Sequence, residues 1–211
     1  MSESEEEEDN VDSVKITLLG SSGVGKTCII KRYTDGGFDE NSQSTSGANY
    51  SQKPLVIENK PIKLDLWDTA GQEKYRSLGR HFYKDAYIVC LVYDITDSQS
   101  FEDLKEKWYN DLKTFGEKNN VLAVVGSKSD CYEKEDVTEE EAREYANSIG
   151  AVFMLTSTKS GDNIDNLFNT LIRQYLGPEF TKKVQEMKQD KGEVKKVSKN
   201  SVNKKKSKKC C

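Results

Sequence analysis

Three short stretches carry side chains at spacings suited to chemistry on a phosphorylated ligand. The first is GSSGVGKT, Gly20 to Thr27, which fits the pattern G-x-x-x-x-G-K-[ST]. Its glycines allow a tight turn whose backbone N–H groups point inward at phosphate oxygens, and a helix opening directly after adds the positive end of its dipole. Ser21, Ser22, Gly23, Val24, Gly25, Lys26, Thr27 and Cys28 are therefore candidate phosphate-binding residues. Lys26 can reach the β- and γ-phosphates, and the Thr27 hydroxyl can ligate Mg²⁺. An ordinary glycine-rich turn is the bland alternative, but a strand pattern precedes this one and a helical pattern follows it. The second stretch is LWDTAGQE, Leu66 to Glu73. Asp68, at the end of an apolar run, can hold Mg²⁺ through a water. Gly71 lets the backbone approach a γ-phosphate, and Gln72 can orient an attacking water. The third is VVGSKSD, Val124 to Asp130. An apolar run ending in such a Lys-x-Asp pair, Lys128 and Asp130, looks like a base reader in a nucleotide site.

Short β-rich runs alternate with helical patterns around these stretches. VKITLLG is a strand and KTCIIKRYT a helix. YSQKPLVIE and PIKLDLW are two strands at hairpin spacing, hence antiparallel. AYIVCLVYD and VLAVVGS are continuous apolar runs, typical of strands covered on both faces. Between them Phe101, Leu104, Trp108, Leu112 and Phe115 fall at helical spacing. TEEEAREYANSIG opens with a capping box, Thr138 to Glu141, and stops at Gly150. AVFMLTS is the last strand, and Ile164, Leu167, Phe168, Leu171, Ile172 and Tyr175 form the stripe of a last helix. The pattern predicts an α/β fold with a mostly parallel six-stranded sheet, one antiparallel strand, and helices on both faces. In such sheets ligands bind at the carboxyl ends of the strands, where all three stretches fall.

The chain has 211 residues, 35% hydrophobic and 32% charged, which is polar for one globular unit. The excess sits in two tails. Residues 1–12 are acidic, and Thr181 to Cys211 carries about a dozen lysines against three acids, so the net charge of −4 describes neither. Neither tail has apolar periodicity to offset the entropy of ordering. The predicted organisation is an acidic tail over 1–12, a folded domain over 13–177, and a lysine-rich tail over 178–211. No run approaches the length of a membrane span and no leader pattern opens the chain, so the expected location is cytosolic. Cys28, Cys90 and Cys131 have no metal-ligand spacing and read as free thiols.

D-T-A-G-Q-E after such a strand resembles the Ras superfamily of small GTPases, and residues 14–176 fit that family from end to end. The resemblance implies the P-loop fold of a small G protein, GTP and GDP as the bound nucleotides, Mg²⁺ as cofactor, and slow hydrolysis of GTP. Thr45 corresponds to the threonine that closes over Mg²⁺ and the γ-phosphate, beside Thr27 and Asp68, and Phe38 to an aromatic against the guanine. Gln72 is similar to the hydrolytic glutamine, with Lys26 neutralising charge. No arginine stands in position to complete the site in cis, so a finger from an activating protein, typically worth ~10³–10⁵ in rate, is expected. TSTK, Thr156 to Lys159, is similar to the family's T-S-A-K, which adds Ser157, Thr158 and Lys159 to the guanine site, with Thr158 in place of alanine. GSKSD is similar to N-K-x-D, with Ser127 where asparagine belongs. The resemblance implies that Asp130 accepts from the guanine N1–H and exocyclic amine, which adenine would leave unpaired, with the Lys128 stem along the base. A hydroxyl is shorter than an amide and has a single donor. At ~1–2 kcal/mol per lost bond, nucleotide affinity is expected to fall by one to two orders of magnitude.

Other segments narrow the branch. KLDLWDTAGQEKYRSL, FYKDA, YDITDSQSF and the C-C ending resemble Rab GTPases. Two terminal cysteines, Cys210 and Cys211, suit double prenylation, since one lipid anchors only marginally, and lysines add ~1 kcal/mol each near an anionic leaflet. There is no C-a-a-X box, and Ser2 rather than glycine follows the initiator. The resemblance implies an effector surface of Tyr50, Trp67 and Phe82, although TSGANY departs from the usual I-G-V-D-F. It also implies an exchange factor, a GTPase-activating protein, effectors, a prenylation escort, a GDP-dissociation inhibitor and an anionic membrane surface as partners, with no nucleic acid. The expected place is the cytosolic face of an intracellular membrane, in exchange with cytosol, in vesicle trafficking. Two rivals stay open at this point. One is a nucleotide-locked scaffold that no longer cycles, and the other is a P-loop ATPase that touches nucleic acid through its lysine tail.

Overall fold

The structure, a computed structural model, describes residues 12–40, 45, 47–57, 60–69, 80–117 and 119–177. Gly71, Gln72, Cys210 and Cys211 lie outside the described residues, as do both predicted tails apart from residue 12. The chain divides into two units, Met1–Tyr175 and Leu176–Cys211, and every strand belongs to the first.

Six strands form one sheet: β1 (Asp12–Leu19), β2 (Asn49–Ile57), β3 (Lys60–Asp68), β4 (Ile88–Asp94), β5 (Val121–Ser127) and β6 (Val152–Leu155). Their spatial order is β2-β3-β1-β4-β5-β6. Only β2 and β3 pair antiparallel, with Ile57 opposite Lys60 at the hairpin, and the other neighbours run parallel. This is the predicted mixed sheet. The runs read as doubly covered are so: β4 is buried along its whole length, and β5 from Ala123 to Ser127.

Helix α1 (Lys26–Asp35) follows β1, and α2 (Arg80–Tyr83) precedes β4. The crossover from β4 to β5 is α3 (Ser98–Asp103), a π-helical turn (Leu104–Trp108) and α4 (Tyr109–Phe115). Helix α5 (Glu139–Ser148) is capped by the Thr138 hydroxyl, which accepts from the Glu141 N–H. The last helix, α6, spans residues 164–177. Strand alternation sorts β4 between two layers. Val89, Leu91 and Tyr93 share a core with Phe101, Leu104, Leu112, Ala142 and Ala146. Ile88, Cys90 and Val92 are left for the opposite face. There α1 and α6 meet through stacked Tyr33 and Phe168 rings, 3.8 Å between centroids, a contact worth ~0.5–1.5 kcal/mol beyond its buried area.

The π turn is a departure from the predicted unbroken helix. Its closing bond runs five residues back, from the Tyr109 N–H to the Leu104 carbonyl. The extra residue lets both Trp108 and Tyr109 pack against the core cluster, where an α-helical step would turn one of them outward. A short 3₁₀ segment, Ser129–Lys134, was likewise not expected. Among the described residues, Cys28, Cys90 and Cys131 stand outside any disulfide.

Candidate functional site

Parallel pairing aligns the strand ends. Leu18 stands beside Asp68, and Asp94 beside Ser127. The loops leaving β1, β3, β5 and β6 therefore open on one edge of the sheet. They surround a cavity of about 380 Å³.

On one side lies the glycine-rich loop. Gly25 caps α1 at φ 96° and, among the described residues, no side chain caps the helix, so its first N–H groups are left to an anion. Ser22, Gly23, Gly25, Lys26, Thr27 and Cys28 line the cavity. Ser21 and Val24 do not: the Ser21 hydroxyl turns to Asp103, 3.2 Å away, and the Val24 side chain is buried. The Lys26 ammonium, only 5% exposed, donates to the carbonyls of Gly20 at 2.7 Å and Ser21 at 2.8 Å. Burial lowers its pKa to about 8, against the opposing pull of Asp68.

Asp68 is 2% exposed. Its Oδ2 accepts from the Thr27 hydroxyl at 2.7 Å, and Thr45 Oγ1 stands 2.6 Å from Thr27 Oγ1. An ionised carboxylate only accepts, so the chain of protons runs Thr45 to Thr27 to Asp68. Among the described residues, Asp68 Oδ1 is buried with no hydrogen-bond partner. Burial raises the Asp68 pKa, with Thr27 and Lys26 pulling the other way. A buried carboxylate oxygen left bare beside two hydroxyls is an all-oxygen donor set, which suits a hard divalent cation.

Across the cavity are the residues read as base contacts. Phe38, Ser127, Lys128, Asp130, Thr158 and Lys159 line it. Ser157 sits behind, fully buried, and its hydroxyl donates to Asp130 Oδ1 at 2.6 Å. Burial opposes ionisation of Asp130, but this bond, with further backbone and Cys131 donors, outweighs it and lowers the pKa. The carboxylate is thus held charged and aimed. Lys128, at φ 60°, sets its ammonium 2.5 Å from Asp94 Oδ2. Lys159 reaches Glu40 at 3.2 Å. Ser127 is 2% exposed, and its hydroxyl lies 2.6 Å from the Val24 carbonyl and 2.9 Å from that of Tyr93. The serine therefore does reach the phosphate loop.

Asp39, Glu40, Thr69 and Cys131 also line the cavity, and sequence reasoning missed them. Thr69 stands inside the LWDTAGQE stretch, but nothing in that pattern announces the bond from its hydroxyl to the Leu18 carbonyl, 2.7 Å. Asp94, which holds Lys128, was missed too; its place at the end of a buried strand was the available signal.

The chain's remaining named trio clusters on the β2–β3 side. Tyr50 and Trp67 rings lie 5.2 Å apart, and Trp67 and Phe82 rings 6.2 Å apart. Tyr50 is 48% exposed, and its hydroxyl donates to Asp65 at 2.6 Å.

The Ras family model matches residues 15–177. The chain belongs to the Ras family. It is 41% identical over 171 residues to the Ras-related protein Rab-31 of Mus musculus, covering 80% of this chain and 87% of that protein. To the Homo sapiens Rab-31 it is 41% identical over 164 residues, 78% of this chain and 84% of the relative. The protein is a Rab-like small GTPase of the Ras superfamily, a GTP- and GDP-binding switch, and its role in membrane trafficking follows from the family. That removes the ATPase rival.

Proposed function

We propose that this Rab-like chain reads guanine through Asp130, holds the phosphates with the loop from Ser21 to Cys28, and closes Thr45 and Gly71 over the γ-phosphate. The observation that carries the reading is a single cavity lined both by an uncapped helix start and by a charged, pre-aimed carboxylate. Thr27 and Thr45, with Asp68 behind them, would hold Mg²⁺, whose bare buried acceptor at Asp68 fits it. Held there by Thr27 and Thr45, the ion would supply charge neutralisation at the phosphates. Lys26 supplies a positive charge from a desolvated position, and Gln72 orients the water for in-line attack. Phe38 covers the base, and Ser157 fixes Asp130.

Hydrolysis in this reading is slow alone and accelerated by a GTPase-activating protein. An exchange factor opens the site, effectors read Tyr50, Trp67 and Phe82, and an escort and a GDP-dissociation inhibitor handle the lipidated tail. Among the described residues no helix is long and apolar enough to cross a membrane. Attachment to the cytosolic face of an intracellular membrane is assigned instead to prenyl groups on Cys210 and Cys211, with the lysines adding attraction to anionic lipid.

The experiment is calorimetry of wild type and Asp130→Ala with GDP and ADP in magnesium buffer. Two charge-assisted bonds are at stake, together ~3 kcal/mol or more, so GDP affinity should fall by about two orders of magnitude or more while ADP affinity barely moves. An Asp130→Ala protein that still prefers GDP would assign base reading elsewhere.

A further inference from the structure

Hydrogen-bond donors around the base side of the cavity are unevenly committed. Four neutral side-chain donors stand there: Ser127, Cys131, Ser157 and Thr158. Ser127 has one proton and two backbone carbonyls within reach, Val24 at 2.6 Å and Tyr93 at 2.9 Å. Neither carbonyl can donate, so the proton lies on one or the other. Turning it toward a ligand would give up that bond, a loss comparable to the bond gained. What Ser127 offers a base is oxygen lone pairs. The Ser157 proton is spent on Asp130 Oδ1 at 2.6 Å, and the Cys131 thiol points at Asp130 Oδ2 from 3.7 Å. The lysine ammoniums on this side are anchored on carboxylates, Lys128 on Asp94 and Lys159 on Glu40.

Thr158 differs from the other three. It lines the cavity, it is partly exposed there, and among the described residues no protein acceptor holds its hydroxyl. Guanine presents acceptors at O6 and N7 in addition to the donors that Asp130 would take. A base seated against Asp130 therefore meets one uncommitted side-chain hydroxyl.

We propose that the Thr158 hydroxyl supplies the side-chain hydrogen bond to an acceptor of the bound guanine, in place of the donor that Ser127 withholds. The two residues at which the base loops depart from N-K-x-D and T-S-A-K then act as a pair. One removes a donor from the base pocket to tie the phosphate loop, and the other restores a donor from the loop after β6. This rests on the proposed reading of guanine through Asp130.

The test is a set of competition titrations on the full chain in magnesium buffer, using GDP, ADP and inorganic pyrophosphate as probes. Thr158→Ala and Thr158→Val are expected to weaken GDP binding about five- to tenfold, the worth of one neutral bond. Thr158→Ser should stay within about twofold of wild type, because it keeps the hydroxyl. Pyrophosphate, which has no base, should bind all four proteins equally; a merely structural role for Thr158 would weaken it as well. GDP affinities unchanged in the alanine and valine variants would overturn the proposal, as would a parallel loss for pyrophosphate. A wild-type protein without preference for GDP over ADP would instead bring down the underlying reading of Asp130.

Discussion

Lys26 carries a positive charge into a place that disfavours it. Burial lowers its pKa from 10.5 to about 8, and Asp68 only partly compensates. In the ligand-free fold the ammonium is lost as pH rises through about 8, whereas the unfolded chain keeps it until about 10.5. Below pH 8 both forms are charged and the folded one bears the full cost of desolvation; between the two values that cost is relieved. Phosphates reverse the balance, because they bind the charged form and raise its pKa. Nucleotide binding above pH 8 must then take up a proton, so GDP affinity should fall by up to tenfold per pH unit from pH 8 upward. Titrations across pH 7 to 9 check this, with Lys26→Arg as the comparison, since guanidinium stays charged throughout. The arginine variant should lose the slope. A wild-type profile as flat as that of the variant would mean that Lys26 is not the phosphate contact. Lys26 itself was legible because GSSGVGKT encodes its own geometry within eight residues. Its ties to Gly20 and Ser21 are equally local. The contacts that escaped the sequence are long-range ones: Lys128 to Asp94 spans 34 positions, and Lys159 to Glu40 spans 119. No local pattern records which charges strand register and loop closure will bring together.

Elements were legible where a single periodicity ran through them. The buried runs of β4 and β5 and the hairpin of β2 and β3 follow from apolar content and spacing alone. The helical crossover did not disclose its π turn, because Phe101, Leu104, Trp108, Leu112 and Phe115 satisfy an ordinary helix equally well. What decides is the pull of Tyr109 toward the core beside Trp108, which appears only once α5 and β4 are in place. The junction between β1 and the phosphate loop has a comparable hidden constraint. A Cβ on Gly20 would stand 2.2 Å from the Val92 carbonyl oxygen, and the residue sits at φ 152°. That oxygen belongs to the backbone of β4, so relief requires the two parallel strands to separate where the site begins. Gly20→Ala should destabilise the domain by ~2–4 kcal/mol. At this size that is a fall in melting temperature of roughly 5–15 °C. Gly37→Ala, with nothing within 4 Å of its Cβ, should change stability by less than ~0.5 kcal/mol. Thermal unfolding of both with GDP in excess separates them, and a Gly20→Ala protein that melts with wild type would show that the strand ends can part freely.

With the proposed lipids on Cys210 and Cys211, the distribution of charge over the chain would make attachment depend on the lysine-rich segment. The segment from Thr181 to Cys211 has an excess of nine positive charges, which leaves −13 on the other 180 residues. An anionic leaflet therefore repels most of the protein and attracts one end. Screening confines both effects to about 8 Å at physiological salt, so the lysines contribute only while something holds them at the surface. One lipid chain gives marginal, reversible binding, and two give stable anchoring. Serine substitutions at Cys210 and Cys211 should then produce three distinct behaviours in fractionated cells. The wild-type chain should sediment with membranes and stay there in high salt. Either single substitution should leave a protein that sediments at low salt and is extracted as salt rises, because one of the two proposed lipids would survive and the lysines would supply the remainder. The double substitution should be soluble at every salt concentration, since ~1 kcal/mol per lysine is offset by the acidic body and by the entropy of holding the tail at the surface. A double variant that still sediments would place the membrane contact on the folded domain, and the aromatic cluster of Tyr50, Trp67 and Phe82 would be the first surface to examine for it.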